Sequence, residues 1–510
     1  MMMNTRKLMM GGMILALGTG LGALYPAMAQ DRPIEGKQGL GKLPNVRPAS
    51  MATPAPASTP TGSATPSPRP GASPSASPSP RPSATPSAGP TLRPTPLPTP
   101  LATPSGTPTP YPTPSPSPGA TPVQEAVVNW TVADAGDLLA AIMAIGEEGL
   151  FPADYQPDAL RAAIRAGAGD ALDQQASKSF AWLVEDLRDG RTPMTARVQW
   201  FAVDPDQDEN PTTALMQRAT TNHDVPGTLA GLAPTYPDYA ALKEALAATP
   251  KAQTKLRDAI RINMDRWRWL PRDLGPVYLI TNVPEFQLRL AVNGRNIRTY
   301  RTIVGKPGRT ATPQLAEKVE AVVFNPTWTV PQSIVVGEGL GQQLLARPRA
   351  GYKVTRMEDG SLQVVQQPGN TNSLGRMKID MPNPHAIYLH DTPSKKLFDA
   401  SVRAFSHGCI RTDRAVELGM TMAILGAGMS QEDAVATFEA GKYKKVPMTR
   451  TFPVYLTYFT YGRDINGSLA AFNDLYGRDG PVIDSFHASR ALHTTQRKSN
   501  EEVIKLDNPL

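Results

Sequence analysis

Apolar residues recur at helical spacing from about residue 123 to residue 271. The clearest stretch is DAGDLLAAIMAIGEEGLFPADYQPDALRAAIRAGAG, where apolar positions lie three or four residues apart between turn residues. Three later stretches, QQASKSFAWLVEDLRDGR, PDYAALKEALAAT and AQTKLRDAIRINMDRWRWLP, repeat this spacing. The pattern predicts a mainly helical domain over residues 123–271, in which Trp182, Trp267 and Trp269 are packing residues.

After Pro271 the apolar residues alternate with polar ones, as in half-buried strands. The segments VYLITNV, FQLRLAV, IRTYRTIVG and KVEAVVFNPTWTV follow this pattern, and Asn293-Gly294 between two of them predicts a hairpin with a type I′ turn. Short helices are expected within this region, one capped by Thr412 or Asp413 and one by Ser430. The sequence therefore predicts an α+β fold, with a β-rich domain over residues 272–480 after the helical one.

The two ends of the chain differ from this globular pattern. Residues 1–29 carry early basic residues, an apolar run and a final Ala-Met-Ala, which is typical of a signal peptide, although an uncleaved inner-membrane anchor is the alternative. Either interpretation places the rest of the chain outside the cytoplasm, in the periplasm. Residues 481–510 are polar, and we expect a loosely held tail there.

Most of the segment over residues 30–122, from Pro48 to Pro122, is almost entirely Pro, Ser, Thr and Ala. Such a composition offers too little apolar surface for a core, so we expect a disordered linker with polyproline II character. One interpretation of the linker is a tether that carries the globular part away from a membrane or through a polymer mesh. The other is a spacer without a specific role.

The net charge of +7 favours anionic partners such as a cell-wall polymer or an acidic lipid. Export disfavours nucleic acid, and the sequence holds no zinc-finger spacing and no glycine-rich phosphate loop. A single cysteine, Cys409, occurs in 510 residues, so an intramolecular disulfide is excluded.

Three of the six histidines, His385, His390 and His407, lie within 25 residues of Cys409. An imidazole beside a thiol can take its proton and later return it to a leaving amine, which is the chemistry of acyl transfer. Gly408 allows a sharp turn before the sulfur and N–H groups aimed at an oxyanion. Two alternatives remain: a zinc site formed by the cysteine and two histidines, and a buried structural cysteine.

The run SHGC, which follows His390 after 15 residues and precedes an apolar residue and Arg411, closely resembles the signature of L,D-transpeptidases with a YkuD catalytic domain. The phrases RWRWLP, IVGKPGRTATP, FNPTWTVPQSI, NSLGRMKIDMPNPHAIYLHDTPSKKLF and VYLTYFT are similar to this family as well. The helical domain resembles the scaffold region of its long periplasmic members.

The resemblance implies a role for each matching residue. Cys409 would be the nucleophile, His390 the general base, and His407 with Gly408 would shape the oxyanion site together with the Cys409 N–H. The remaining matches are Asp391, which would orient the imidazole through its carboxylate or, as is often so in the family, through its backbone carbonyl, and Tyr388, Ser406 and Arg411, which would bind substrate. Residues 339–373 match a segment that caps the site.

The implied activity is attack on a peptidoglycan tetrapeptide stem, release of D-alanine and formation of 3-3 cross-links between diaminopimelate residues, without metal or cofactor. The family further implies carbapenem β-lactams as covalent inhibitors. The same thioester would serve L,D-carboxypeptidase action, D-amino acid exchange or attachment of a protein to the wall. A non-catalytic wall-binding protein is the alternative from another class, whereas a papain-like protease would place Cys before His.

Overall fold

The computed structural model describes residues 126–202 and 210–490, together with Ser499 and Glu501. The expected signal peptide and the expected linker lie outside the described residues. Within the described part of the chain, no helix is both long and apolar enough to cross a membrane.

The N-terminal region of the structure is helical. Its helices are α1 (Val132–Ala144), α2 (Pro157–Ala166), α3 (Asp170–Asp189), α4 (Thr212–Thr221), α5 (Val225–Ala230), α6 (Pro237–Ala248) and α7 (Thr254–Arg268). Short 3-10 turns cover Ile145–Glu148, Pro152–Tyr155 and Met194–Ala196.

The helices assemble because each turns an apolar face to one shared core. Thr131 begins α1 by accepting a hydrogen bond from the Asp134 N–H at 3.0 Å. The core includes the predicted packing residues Trp182, Trp267 and Trp269, which are at most 7% exposed. The prediction of a helical domain with these tryptophans in its interior is confirmed.

The second region is built on strands. They are β1 (Val277–Asn282), β2 (Gln287–Val292), β3 (Arg295–Gly305), β4 (Leu315–Phe324), β5 (Trp328–Thr329), β6 (Tyr352–Arg356), β7 (Leu362–Gln366), β8 (Met377–Asp380), β9 (Leu389–His390), β10 (Ala404–Ser406), β11 (Ile410–Thr412), β12 (Lys444–Thr457), β13 (Tyr461–Arg463) and β14 (Leu469–Ala471). The helices among them are α8 (Gln332–Val335), α9 (Leu340–Ala346), α10 (Ala415–Ala427), α11 (Gln431–Glu439) and α12 (Asp479–His487), and Lys395–Asp399 is a 3-10 turn.

Nine strands form one mixed sheet in the order β10-β3-β11-β9-β8-β4-β12-β1-β2. Strand β3 also pairs with β2, which brings the two ends of this order together. Val292 pairs with Arg295, and both Asn293 and Gly294 have positive φ, so the predicted type I′ hairpin is confirmed. The α+β fold class predicted from the sequence is confirmed.

Of the two helices after the SHGC run, the second has the predicted N-cap residue and the first does not. Ser430 caps α11 by accepting from the Asp433 N–H at 3.0 Å, as expected. Neither Thr412 nor Asp413 caps α10, because Thr412 belongs to strand β11 and Arg414, with φ of 51°, occupies the cap position.

The C-terminal boundary differs from the expectation of a loose tail over residues 481–510. Helix α12 continues to His487, and its Val482 and Phe486 are buried in the core of the helical region. Arg490 is also buried, and its guanidinium donates to the Glu185 carboxylate at 2.8 Å. The fold therefore includes residues beyond the expected boundary at 480, because these side chains complete the helical core.

A small subdomain stands apart from the main sheet. Strands β5, β7 and β6 form a three-stranded sheet, and α8 and α9 pack on it around a separate core. Its members are Val330, Val335, Leu344, Leu362 and Val364. We call residues 328–373 the cap subdomain, because it includes the predicted capping insertion 339–373 and begins earlier, at Trp328.

Candidate active site

The register of strands β9 and β11 brings the candidate residues together. These strands pair in parallel, with Leu389 opposite Ile410 and His390 opposite Arg411. Because side chains alternate across a strand, Tyr388 and His390 lie on the same face as Cys409 and Arg411. Residues far apart in sequence thus share one surface of the sheet.

The SHGC loop is held by hydrogen bonds on both sides of the nucleophile candidate. Gly408 has φ of 120°, a value that favours glycine. The Ser406 hydroxyl donates to the Cys409 carbonyl at 2.7 Å and accepts from the Gly408 N–H at 3.1 Å. The Thr312 hydroxyl donates to the Gly408 carbonyl at 2.8 Å, which ties the loop to the strand region behind it.

The Cys409 thiol is partly accessible and donates to the Ala386 carbonyl at 3.7 Å. Burial raises the pKa of the Cys409 thiol. Hydrogen bonding from the Tyr388 backbone and the positive charges of Lys378 and Arg411 act in the opposite direction, because they favour the thiolate. The resting thiol is therefore protonated and needs a base to become a nucleophile.

His390 is buried, and its surroundings disfavour a charged ring. Burial, with Arg411 and Lys378 as further causes, lowers the pKa of His390 to about 3. The backbone carbonyls of Asp391 and Leu374 act against this shift by favouring the protonated ring. His390 is consequently neutral near pH 7, which is the form that can accept a proton.

No hydrogen bond joins the Cys409 thiol to the His390 imidazole among the described residues, and Nδ1 of the ring has no partner there. The Tyr388 ring lies 5.5 Å from the His390 imidazole by ring centroids. Catalytic hydrogen bonds are often formed only when substrate is bound, so the shared face is the informative observation.

Positive charge concentrates beside the imidazole. Lys378 pairs with His390 in the register of β8 and β9, and its Nζ lies 4.4 Å from the centroid of the Tyr388 ring. The Asp380 carboxylate holds Lys378 at 3.0 Å and also accepts from Lys445 at 3.0 Å. Asp380 therefore balances the lysines, whereas its side chain does not reach Arg411.

Arg411 places a guanidinium cation in the site. Its Nε is buried and has no hydrogen-bond partner in the part of the chain that the structure describes, and no carboxylate there is among the groups that shift its pKa. Burial lowers the pKa of Arg411, although the guanidinium remains charged near neutral pH. A buried cation of this kind is suited to an anionic group on a ligand.

Two groups of the cap subdomain reach the site. The Trp328 side chain lies at the hydroxyl end of Tyr388, where its hydrogen bonding opposes the strong rise that burial causes in the tyrosine pKa. The Glu338 carboxylate lies 3.6 Å from Nε2 of His407, whose side chain is half-exposed. The cap thus contacts both Tyr388, on strand β9's side of the cleft, and His407 of the SHGC loop.

The region that holds these residues matches a known protein family. Residues 276–419 match the profile of the YkuD family, the L,D-transpeptidase catalytic domain. This span contains the whole cluster from Lys378 to Arg411. The chain carries a YkuD L,D-transpeptidase catalytic domain. Residues 128–246, within the helical region, match the Scaffold domain family.

One curated relative of this chain comes from Haemophilus influenzae and is named "Putative L,D-transpeptidase". It is 27% identical over 249 residues, which cover 45% of this chain and 50% of the relative. The chain therefore spans about half the length of the curated relative that it matches.

Solved structures of L,D-transpeptidases are similar over about a third of the chain. The enzyme from Mycobacterium smegmatis is 15% identical, with 36% of this chain and 58% of that chain covered and a TM-score of 0.19. L,D-transpeptidase 3 from Mycobacterium tuberculosis is 12% identical, with 36% and 61% covered and a TM-score of 0.20.

The structure places Ser406 away from the predicted pocket lining, and it separates the two groups of Asp391, carboxylate and backbone carbonyl, that were expected to orient the imidazole. Ser406 is 2% exposed and uses its hydroxyl within the SHGC loop, so it supports the loop and does not line the pocket. The Asp391 carboxylate points away from the imidazole, to the Arg376 N–H at 2.9 Å and to Lys395. Only the Asp391 backbone carbonyl faces His390, because successive side chains of a strand alternate.

The structure distinguishes the backbone donors around the predicted oxyanion site. The Gly408 N–H is already donated to Ser406, whereas no described group accepts from the N–H of His407 or Cys409. These two groups are therefore the free donors at the loop. For the zinc alternative, no three His, Cys, Asp or Glu side chains converge within residues 126–202 and 210–490, and the His385 ring packs in a tilted arrangement against Phe201, with ring centroids 4.2 Å apart.

The sequence did not identify Lys378, Thr312 or Trp328 as site residues. Lys378 is the residue among these that the sequence could have indicated. It lies next to Ile379 in the strand-like phrase GRMKID, and a charged side chain in a buried strand is costly unless it is paired or functional. Thr312 lies 96 positions before Gly408, and only the folded chain brings the two together.

Proposed function

We propose that this chain is an exported L,D-transpeptidase that forms a thioester at Cys409 with peptidoglycan stem peptides. The placement of Tyr388, His390, Cys409 and Arg411 on one face, across the β9–β11 pair, is the observation that carries this proposal. The expected location is the periplasm, in contact with the cell wall, which rests on the N-terminal sequence pattern.

The first half-reaction is acylation. The proton of the Cys409 thiol passes to the neutral His390 ring, and the sulfur attacks the carbonyl carbon that precedes the terminal D-alanine. The N–H groups of His407 and Cys409 would stabilise the oxyanion that develops on that carbonyl. The C–N bond then breaks, and the imidazolium gives its proton to the D-alanine amine as it leaves.

The second half-reaction is aminolysis. A diaminopimelate side-chain amine of a second stem attacks the thioester, loses a proton to His390 and forms the 3-3 cross-link, and the Cys409 thiol is restored. The cap subdomain, through Trp328 and Glu338, would limit the entry of water and so favour an amine over hydrolysis.

Arg411 and Lys378 connect substrate binding to the strength of the base. Both cations contribute to the low pKa of His390. A substrate carboxylate placed against Arg411 would offset that positive charge, which would raise the His390 pKa. The imidazole would then become a better proton acceptor only when an anionic stem is present.

The decisive experiment incubates the purified protein with disaccharide tetrapeptide and analyses the products by mass spectrometry. We expect cross-linked dimers and free D-alanine from the wild-type protein, none from Cys409→Ala, and at least about 100-fold less from His390→Ala. Dimer formation by Cys409→Ala at the wild-type rate would overturn the mechanism.

The same products separate the other outcomes. Tripeptide alone would indicate L,D-carboxypeptidase action, and incorporation of an added D-amino acid would indicate exchange. A strained β-lactam carbonyl acylates an activated thiol, so incubation with a carbapenem should add the mass of one molecule at Cys409. A non-catalytic wall-binding protein would show neither products nor an adduct.

A further inference from the structure

A short segment of the helical region lies against the main sheet next to the nucleophile. Phe201 N–H donates to the Gln314 carbonyl at 3.0 Å, and the Gln314 N–H donates to the Gln199 carbonyl at 3.0 Å. Trp200 and Gln314 form a parallel bridge. We call Gln199–Phe201 the clamp segment, because it reaches two different loops that flank Cys409.

The first contact leads to the SHGC loop. The Gln199 side-chain carbonyl accepts from the Arg478 guanidinium, and Arg478 donates to the Thr312 carbonyl at 3.4 Å. The Thr312 hydroxyl then donates to the Gly408 carbonyl at 2.8 Å. A chain of hydrogen bonds therefore runs from the clamp segment to the residue that precedes the sulfur.

The Thr312 end of this chain is rigidly held. The Thr312 N–H donates to the Tyr476 hydroxyl at 3.2 Å, and that hydroxyl donates to the Gly305 carbonyl at 2.7 Å. The Gly305 N–H in turn donates to the Thr312 hydroxyl at 3.0 Å. Thr312 is fully buried, so its hydroxyl is fixed in one orientation by a donor and an acceptor.

The second contact leads to the loop on the other side of the sulfur. The Phe201 ring packs against His385 in a tilted arrangement, with ring centroids 4.2 Å apart and ring planes 52° apart, and His385 is buried. The next residue, Ala386, has φ of 53° and carries the carbonyl that accepts from the Cys409 thiol. Phe201 therefore packs on the turn that positions the acceptor of the resting thiol.

We propose that the clamp segment makes the helical region part of the catalytic apparatus, by positioning the SHGC loop and the 383–387 turn on either side of Cys409. Gln199, Phe201 and Thr312 are positioning residues, since they act through Gly408 and Ala386 and do not touch the reacting atoms. This proposal rests on the proposed function. A loosened loop would misplace the oxyanion N–H groups, and small displacements at such donors reduce rates strongly.

The test compares Thr312→Val and Gln199→Leu in the full chain with Gln217→Leu, an exposed glutamine on α4 that serves as the matched control. The rate at which a carbapenem acylates Cys409 is followed by intact mass. We expect Thr312→Val and Gln199→Leu to slow acylation by about 10- to 100-fold, and Thr312→Ser, which keeps the hydroxyl, to restore most of the rate.

Two further measurements separate positioning from general damage. The pH midpoint of iodoacetamide alkylation of Cys409 should stay unchanged in Thr312→Val, because the groups that set the thiol pKa are retained. Amide hydrogen exchange in the peptide over residues 404–412 should become faster in both variants and remain at the wild-type rate in Gln217→Leu.

Acylation and exchange equal to those of Gln217→Leu would overturn the proposal. If even the wild-type protein forms no adduct, the proposed function fails, and the exchange data still decide whether the clamp segment orders the loop.

Discussion

At the residue scale, two cations beside His390 shape the site together with Cys409. Arg411 and Lys378 face a buried imidazole, and together with burial they lower its pKa to about 3. The identity of Cys409, His390 and Arg411 as candidates followed from the sequence. The effect of Lys378 could not be predicted, because it depends on the β8–β9 register, in which Lys378 lies opposite His390.

The shifted His390 pKa makes folding stability depend on pH. The ordinary value is 6.5, so between about pH 3 and 6.5 the unfolded chain binds more protons than the folded one at this position. The contribution of a neutral buried His390 is therefore fully present above pH 6.5 and is lost as the pH falls toward 3. The variant His390→Asn cannot bind this proton.

We expect the wild-type protein to lose about 2–3 kcal/mol more of its unfolding free energy than His390→Asn does between pH 6.5 and 4.5, since one pKa unit corresponds to about 1.4 kcal/mol. Urea unfolding of both proteins at several pH values measures this difference. Glu185 and Asp186, with pKa values raised by burial to about 7 and about 6, contribute with the opposite sign in both proteins and cancel. Parallel stability curves for the two proteins would contradict the prediction.

At the element scale, the cap subdomain is a separate packing unit. Its apolar residues form their own cluster, and Asn372 fixes its base by donating to the carbonyls of Pro326 at 3.1 Å and Gln367 at 2.9 Å. The sequence indicated a capping insertion by resemblance. It did not indicate that β5, which begins at Trp328, pairs with β7, because strand pairing depends on distant partners.

Disrupting this small core should change the fate of the thioester and not its formation. Val364 is fully buried in the cap, so Val364→Asp places an unpaired carboxylate there and should unfold the subdomain locally. We expect the ratio of hydrolysed to cross-linked product to rise by about 5-fold or more, with faster hydrogen exchange confined to residues 328–373. Thr355→Asp, on the exposed side of β6, is the control that should keep the wild-type ratio; equal ratios in both variants would refute a role of the cap in excluding water.

At the scale of the whole molecule, the helical region and the sheet share a core. Ile280, Tyr455 and Phe459 of the second region are buried in the cluster of the first. The Asn263 side chain accepts from the Thr460 N–H at 2.9 Å and donates to its hydroxyl at 3.1 Å. We therefore expect the two regions between residues 126 and 490 to unfold together.

The ordered C-terminal helix gives a direct test of this shared core. A chain that ends at Gly480, the boundary expected from the sequence, loses Val482 and Phe486 from the core and leaves Glu185 without Arg490. Burial of one such apolar side chain contributes about 1.5–3 kcal/mol, so we expect the truncation to destabilise the protein by more than about 3 kcal/mol. Thermal unfolding against a chain ending at Arg490 measures the loss, and equal midpoints would show that α12 is dispensable.

The sequence by itself determined the order of the helical and β-rich regions, the hairpin at Asn293-Gly294 and the residue types for thiol chemistry, because these depend on local periodicity, turn preference and side-chain chemistry. The tertiary structure decided the rest. The Ser406 hydroxyl donates to the Cys409 carbonyl within the loop, and the Asp391 carboxylate accepts from the Arg376 N–H and does not face His390. The Thr312 hydroxyl donates to the carbonyl of Gly408, which lies 96 positions later in the sequence. Such contacts arise from strand register and from packing between distant segments, which no local pattern encodes.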